Sequence, residues 1–169
     1  MDERRKPDER GVIVVGVDGS EGSRAALEFA LDDAVRRNAR VRVVWAFPEP
    51  SYWATAYGMS EPMFEQMAAD LEKAGRAMTE SVVRERGGAV AAVPVTVSAP
   101  AGPPAKVLVE EAESADLLVV GHRGRGEFRS VVLGSVALQC VLHAAGPVTV
   151  VRATPRPEAQ DAVTAPTQA

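Results

Sequence analysis

One stretch of the sequence, residues 116–136, limits the folds open to this chain more than any other. Its first five residues are almost entirely apolar, which is typical of a strand covered on both faces of a sheet. Gly121 and Gly124 follow, and a residue without a Cβ lets the backbone turn sharply and lets a ligand approach it closely. A Gly-Ser pair at positions 134–135 then begins a predicted helix, whose free N–H groups and dipole favour an anion. The stretch therefore predicts a phosphate-binding loop between a strand and a helix.

The same loop carries three arginines, Arg123, Arg125 and Arg129, which add positive charge where a phosphate would lie. It lacks the Lys-Ser/Thr pair of a Walker loop and the G-x-G-x-x-G fingerprint of a dinucleotide site, so neither of those two sites is indicated. A second interpretation stays open at this point, in which the glycines only form a tight connection within an α/β fold.

Apolar runs and helical patterns alternate along the chain, which predicts a parallel sheet with helices on both faces. The expected strands are residues 11–17, 41–47, 93–97, 116–120 and 148–151. Apolar positions in residues 27–35 mark a first helix with Asn38 as its stop, and those in residues 64–82 mark a long second helix closed by Gly87-Gly88. The two later helices are expected at residues 104–113 and 135–145. Pro94 cannot donate to a ladder, so the third strand is expected at an edge of the sheet. The last helix is apolar nearly all round, and we expect it to be well buried. Residues 1–10 are expected to form a flexible leader and residues 153–169 a disordered tail.

Ligands of such folds bind beyond the carboxyl ends of the strands, where the order of the sheet reverses. Asp18 follows the first strand, and its carboxylate could there hold ribose hydroxyls or a Mg²⁺ ion bound to phosphates. Its simpler role would be to cap the helix that follows. The sequence leaves both roles open.

The spacing of the glycines is more specific than any one of them. Two residues separate Gly121 from Gly124, and nine residues separate Gly124 from the Gly134-Ser135 pair. This spacing resembles the nucleotide-binding pattern of the universal stress protein family, in its ATP-binding branch. The resemblance covers residues 11–152. It implies one Rossmann-like domain with a doubly wound, mostly parallel five-stranded sheet in the order 3-2-1-4-5, so that strands one and four lie side by side.

The resemblance also implies which residues contact the ligand. In ATP-binding members, an apolar residue late in the second strand lines the adenine, and Ala46 is the matching residue here. Ala137 departs from the hydroxyl-bearing residue often found at its position, which removes one phosphate contact. The expected site residues are Gly16, Asp18, Ala46, Gly121, Arg123, Gly124, Arg125, Gly134, Ser135 and Val136, with ATP and Mg²⁺ as the expected ligands.

The remaining chemistry-bearing residues give no indication of a dedicated enzyme. Neither His122 nor His143 has a carboxylate and a nucleophile arranged with it in the sequence. Cys140 is flanked by apolar residues and is expected to be an inert core thiol. The acidic pairs Asp32-Asp33 and Glu110-Glu111 fall on predicted helices and are expected to be solvated. The expected function is therefore nucleotide-dependent regulation in a stress response, with slow ATP hydrolysis at most.

The net charge and the pattern of apolar residues limit which partners and which cellular compartment we expect. A net charge of −4 argues against a nucleic-acid partner, and no apolar run approaches the length of a membrane span. Residues 1–10 lack the apolar core of a signal peptide, so the cytoplasm is the expected location. The last strand, Val148 to Val151, is expected at a sheet edge, where pairing with a second copy would cover it. A homodimer is also what the family resemblance implies.

Two other functional classes stay open. One is a nucleotide-independent dimeric adaptor of the same fold. The other is an adenylate-forming enzyme of a related α/β group, although such enzymes carry a Ser-Gly-Gly-rich loop after the first strand, where this chain has residues 18–22, Asp-Gly-Ser-Glu-Gly. A loop around Tyr52, Trp53 and Tyr57 is expected either to pack on its own domain or to cover a ligand or contact a partner.

Overall fold

In the computed structural model, residues 10–48, 58, 60–124 and 133–153 are described. Most of the expected leader and tail, the aromatic loop around Trp53, and the arginines Arg125 and Arg129 lie outside the described residues.

Five strands form one parallel sheet in the order β3-β2-β1-β4-β5, which confirms the predicted order and the edge position of β3. The strands are β1 (Val12–Gly16), β2 (Arg40–Val44), β3 (Val95–Ser98), β4 (Leu117–Gly121) and β5 (Val148–Val151). β2 ends three residues earlier than expected. Beyond Val44 the regular ladder gives way to single backbone hydrogen bonds from Trp45 and Phe47 and one isolated bridge between Phe47 and Ala101.

Helices cover both faces of the sheet, as predicted for a doubly wound fold. They are α1 (Glu21–Arg37), α2 (Glu61–Arg86), α3 (Pro104–Ala112) and α4 (Ser135–His143), with a 3₁₀ turn at Gly88–Ala92. α1 and α2 pack on one apolar core, which includes Leu27 and Val82. α3 and α4 pack on the other, which includes Leu108 and Cys140. None of these helices, in the part of the chain that the structure describes, is both long and apolar enough to cross a membrane.

The expectation that the last helix is well buried is wrong. In α4, Ala137 and Cys140 are buried, but Leu138, Val141 and Leu142 are exposed by 43%, 48% and 63%. The reason is geometric, because a short helix on a sheet turns one flank to the core. α4 also ends at His143, two residues earlier than expected, since the next residue is extended.

The expectation that the acidic pairs are solvated is wrong for Asp33, which is buried. The arginines Arg36 and Arg37, on the next turn of α1, lie 3.1 and 2.6 Å from its carboxylate oxygens and neutralise it. Glu111 is half-buried and pairs with Arg42 of β2 at 2.8 Å.

Candidate functional site

A cavity of about 530 Å³ lies at the carboxyl ends of β1 and β4, where the order of the sheet reverses. Its size is within the range of about 300–1,000 Å³ that small-molecule pockets occupy. The loops after β1 and β4, the end of β2, the start of α4 and one side of α3 all contribute to its wall. The cavity therefore lies where the sheet topology predicts a ligand.

The structure brings the predicted site residues together around this cavity. Every one of them that the structure describes lines it: Gly16, Asp18, Ala46, Gly121, Arg123, Gly124, Gly134, Ser135 and Val136. Arg125, the remaining predicted residue, lies outside the described residues. Segments more than a hundred positions apart in the sequence thus form one wall.

Asp18 supports the start of α1 and also reaches the loop after β4. Its Oδ1 accepts hydrogen bonds from the backbone N–H and the hydroxyl of Ser20, at 3.0 and 2.6 Å. Ser20 is the residue that caps α1, because its Oγ accepts from the backbone N–H of Ser23 at 3.1 Å. A Cβ built on Gly124 would contact the Oδ2 of Asp18, so the two loops approach each other closely. Asp18 therefore orients the capping residue rather than capping the helix itself.

Gly121 has a packing role, as the interpretation of the glycines as a tight connection allows. A Cβ at this position would lie 2.6 Å from the carbonyl carbon of Gly22 and 2.7 Å from its oxygen. A Cβ on Gly22 would in turn contact the carbonyl oxygen of Arg123. The end of β4 and the first turn of α1 thus pack backbone against backbone, which requires glycine on both sides. In the sequence Gly22 lies in the polar segment before the predicted helix, so no local signal distinguished it from an ordinary turn glycine.

The N-terminus of α4 opens into the cavity. Among the described residues, no side chain caps this helix, in contrast to α1. The first intrahelical bond runs from the N–H of Leu138 to the carbonyl of Gly134 at 2.9 Å, so the amides of residues 135–137 have no partner within the helix. Since residues 135–137 all line the cavity, the positive end of the helix dipole acts on it. The arrangement is suited to an anion.

Backbone hydrogen bonds hold the two ends of the loop between β4 and α4 together. The N–H of Gly134 donates to the carbonyl of His122 at 2.9 Å, and the N–H of His122 donates to the carbonyl of Val151 at 2.6 Å. A Cβ on Gly134 would lie 3.2 Å from that His122 oxygen. The helix start is therefore fixed against both β4 and β5.

The opposite side of the cavity is apolar. It is formed by residues of two strands and one helix: Val44 of β2, Ala46 just after it, Val120 of β4, and Pro104 and Leu108 of α3. Sequence reasoning missed the two α3 residues. The available signal was topological, because the helix that follows β3 must begin at the carboxyl edge of the sheet, where ligands bind.

The thiol lies in the core and does not line the cavity. Cys140 is buried, as expected, and burial raises the pKa of its thiol to about 11, so the thiol is uncharged near neutral pH. Across residues 10–48, 60–124 and 133–153, no three His, Cys, Asp or Glu side chains come together in a way that could hold a metal ion.

The fold and the cavity define a Rossmann-like α/β domain with a cavity of small-molecule size at its topological switch point. A sequence model of the universal stress protein family matches residues 9–152. The chain is also 32% identical over 155 residues to universal stress protein Rv1996 of Mycobacterium tuberculosis (strain ATCC 25618 / H37Rv), an alignment that covers 86% of this chain and 49% of that protein. The chain belongs to the universal stress protein family. It spans about half the length of the curated relatives it matches.

Solved structures share this fold. The universal stress protein UspA from Lactobacillus plantarum has a TM-score of 0.62 at 24% identity, covering 84% of this chain and 97% of that one. A universal stress protein in complex with cAMP has a TM-score of 0.56 at 22% identity, covering 86% of this chain and 98% of that one.

Proposed function

We propose that this protein binds ATP and acts as a nucleotide-dependent regulatory module of a stress response. The observation that carries the proposal is the uncapped N-terminus of α4, which opens into a cavity of about 530 Å³ whose other side is apolar. A polyphosphate joined to an aromatic base is the ligand chemistry that fits both sides.

In the proposed complex the phosphates lie against backbone amides. The amides of residues 135–136 and of Gly124, with the hydroxyl of Ser135, supply neutral donors, whereas the N–H of Gly134 already donates to the carbonyl of His122. The helix dipole contributes about half a positive charge. Arg123 is exposed and lines the same cavity, so its guanidinium can reach a phosphate from the solvent side. Gly121 and Gly16 contribute backbone to the wall.

The base lies on the apolar side, against Ala46, and the ribose lies near Asp18. The Oδ1 of Asp18 already accepts two hydrogen bonds from Ser20. Among the described residues that line the cavity, Asp18 is the one carboxylate. A Mg²⁺ ion would therefore take most of its oxygen ligands from the phosphates and from water, as this ion commonly does.

Two further observations favour an adenine nucleotide and a regulatory role. A protein of the same fold has been solved in complex with cAMP, which also carries adenine. The described lining contains no histidine or cysteine that could act as base or nucleophile. The output we propose is a nucleotide-dependent conformation or partner contact, with slow ATP hydrolysis at most.

We also propose a homodimer that forms through β5. β5 is the last strand in the order of the sheet. The carbonyls of Pro147 and Val151 accept hydrogen bonds from the β4 side, so by strand alternation the N–H groups of Val148 and Val150 point to the outer edge. An apolar edge with unpaired backbone groups is suited to pairing with its own copy across a two-fold axis.

A single cysteine and an adenine nucleotide ligand fit a cytoplasmic location.

Native mass spectrometry of the purified protein, with and without added Mg-ATP, tests the proposed function. The wild type should carry one adenine nucleotide per chain. Gly124→Val should empty the site, because its Cβ would contact the carboxylate of Asp18 and force the two loops apart. Gly146→Val is the matched control, since a Cβ at Gly146 meets nothing within 4 Å. A wild type without nucleotide, even with Mg-ATP in excess, would overturn the proposal and favour a nucleotide-independent adaptor.

A further inference from the structure

The apolar side of the cavity contains a narrow groove in the sheet. Gly16 at the end of β1 pairs in register with Val44 of β2. On the other side, Val15 pairs with Val119, so Val120 stands beside Gly16. Both valines are buried and belong to the core that faces α3. Because Gly16 has no side chain, a gap one residue wide separates them.

Leu108 of α3 fills this gap. A Cβ built on Gly16 would lie 2.7 Å from the Cδ1 of Leu108 and 3.0 Å from its Cδ2, so the end of the leucine side chain rests directly on the glycine backbone. Leu108 is 4% exposed and lines the cavity together with Pro104, one turn earlier on α3. The leucine therefore forms the floor of the apolar side.

The position of this floor is fixed by a tie between α3 and the sheet. The Nη1 of Arg42 on β2 lies 2.8 Å from the Oε2 of Glu111, one turn after Leu108, and donates to the backbone carbonyl of the same residue at 3.3 Å. Half-buried and attached to both the side chain and the backbone, Arg42 holds α3 at a set distance from β2. These contacts join the helix that carries Leu108 to the strand that carries Val44.

We propose that Leu108 is the specificity-determining residue of this cavity and limits it to nucleotides whose base carries no bulky substituent. This inference rests on the proposed function, since it concerns the base of the proposed nucleotide. Truncation of Leu108 opens the groove over Gly16 between Val44 and Val120, and the added depth accepts a substituent on the six-membered ring of the purine.

The test measures dissociation constants by isothermal titration calorimetry for three proteins: the wild type, Leu108→Ala and Val107→Ala. Val107 is the matched control, because it is 7% exposed on the same helix and in the same core but does not line the cavity. The probes are Mg-ATP, N6-benzyl-ATP and 2-methylthio-ATP, which carry substituents on two edges of the ring. One methylene group in an apolar pocket changes affinity by about 10-fold or more.

We expect the wild type and Val107→Ala to bind Mg-ATP in strong preference to both analogues. Leu108→Ala should reduce that preference by about 10-fold or more for at least one analogue. A wild type that binds no adenine nucleotide overturns the proposed function and this inference together. A wild type that binds Mg-ATP, with equal preferences in all three proteins, overturns this inference alone.

A second pair of variants tests the same contact from the side of the sheet, and its first member leaves the core side chains at full length. Gly16→Ala adds a Cβ that must push the end of Leu108 toward the cavity, so it should weaken Mg-ATP binding by about 10-fold, the effect of one methylene group. Adding Leu108→Ala to Gly16→Ala should restore the affinity, because the clash disappears. If Gly16→Ala binds Mg-ATP as the wild type does, or if the double variant shows no recovery, the role assigned to Leu108 is wrong.

Discussion

Substitution of Ser135 by glutamate separates the stability of the fold from the binding of an anion. Ser135 is the first residue of α4, it is exposed, and it lines the cavity. A carboxylate at this point lies in the favourable field of the helix dipole and should stabilise the helix by about 0.3–1 kcal/mol. The same carboxylate lies where the phosphates are proposed to bind.

The size of the expected loss follows from the charges. Two unit charges about 4 Å apart repel by about 4 kcal/mol near a protein surface, before screening. Since the side chain is exposed, solvent and salt reduce this to about 1–3 kcal/mol, which corresponds to a loss of about 5- to 160-fold in affinity. Ser135→Glu should therefore melt at the same temperature as the wild type or higher and bind Mg-ATP much more weakly.

Calorimetric titration with Mg-ATP measures the affinity, and Gln139→Glu provides the matched control. Gln139 carries the same charge change on the same helix, but it lines a separate cleft with Lys106 of α3. Unchanged affinity in Ser135→Glu, or an equal loss in both variants, would refute the assignment of the phosphates to the start of α4.

Three further predictions concern the β5 edge, the buried thiol and the buried carboxylate. Val150→Pro removes an outward N–H that β4 does not use, so light scattering should show the mass of one chain where the wild type shows two; a wild-type mass of one chain would contradict the proposed dimer. Because burial raises the pKa of the Cys140 thiol to about 11, the free energy of unfolding keeps its full value below pH 9 and falls as the pH rises toward about 11. Over that interval the wild type should lose about 1.4 kcal/mol per pH unit relative to Cys140→Ala in chemical denaturation, and parallel pH profiles would contradict a shifted thiol. Asp33→Asn should lower the free energy of unfolding by about 1 kcal/mol, because two arginine pairs are lost. If Asp32→Asn lowers it by as much, burial of the Asp33 carboxylate does not strengthen its ion pairs.

The architecture could be predicted from sequence because its signals are local. Apolar β-branched runs marked the strands, and Pro94 marked an edge that the sheet order confirms. The strand order itself came from the family resemblance, since periodicity does not encode which strands pair. α2 ends at Arg86, directly before Gly87, as the Gly87-Gly88 pair predicts. Its start was less accurate, because the helix begins at Glu61, three residues before the first apolar position that marked it.

The lining of the candidate site was predictable where it depends on loop glycines and a helix start, and not where it depends on packing. Gly124 and Gly134 were visible because loops that approach a ligand use residues without a Cβ. Leu108 and Gly22 were not, because each acts through contact with a residue distant in sequence, Gly16 for the first and Arg123 for the second. The exposed flank of α4 was missed for the same reason, since apolar composition does not reveal how many neighbours a helix has.

The central claim is that backbone amides at the start of α4 and after β4 hold the phosphates of an adenine nucleotide. An amide-resolved NMR titration of the ¹⁵N-labelled protein with Mg-ATP tests it most directly. The account predicts that the largest shift changes, saturating at one nucleotide per chain, occur at the amides of Gly124, Ser135 and Val136. Saturable changes confined to other parts of the chain, or no changes at these three amides, would contradict it.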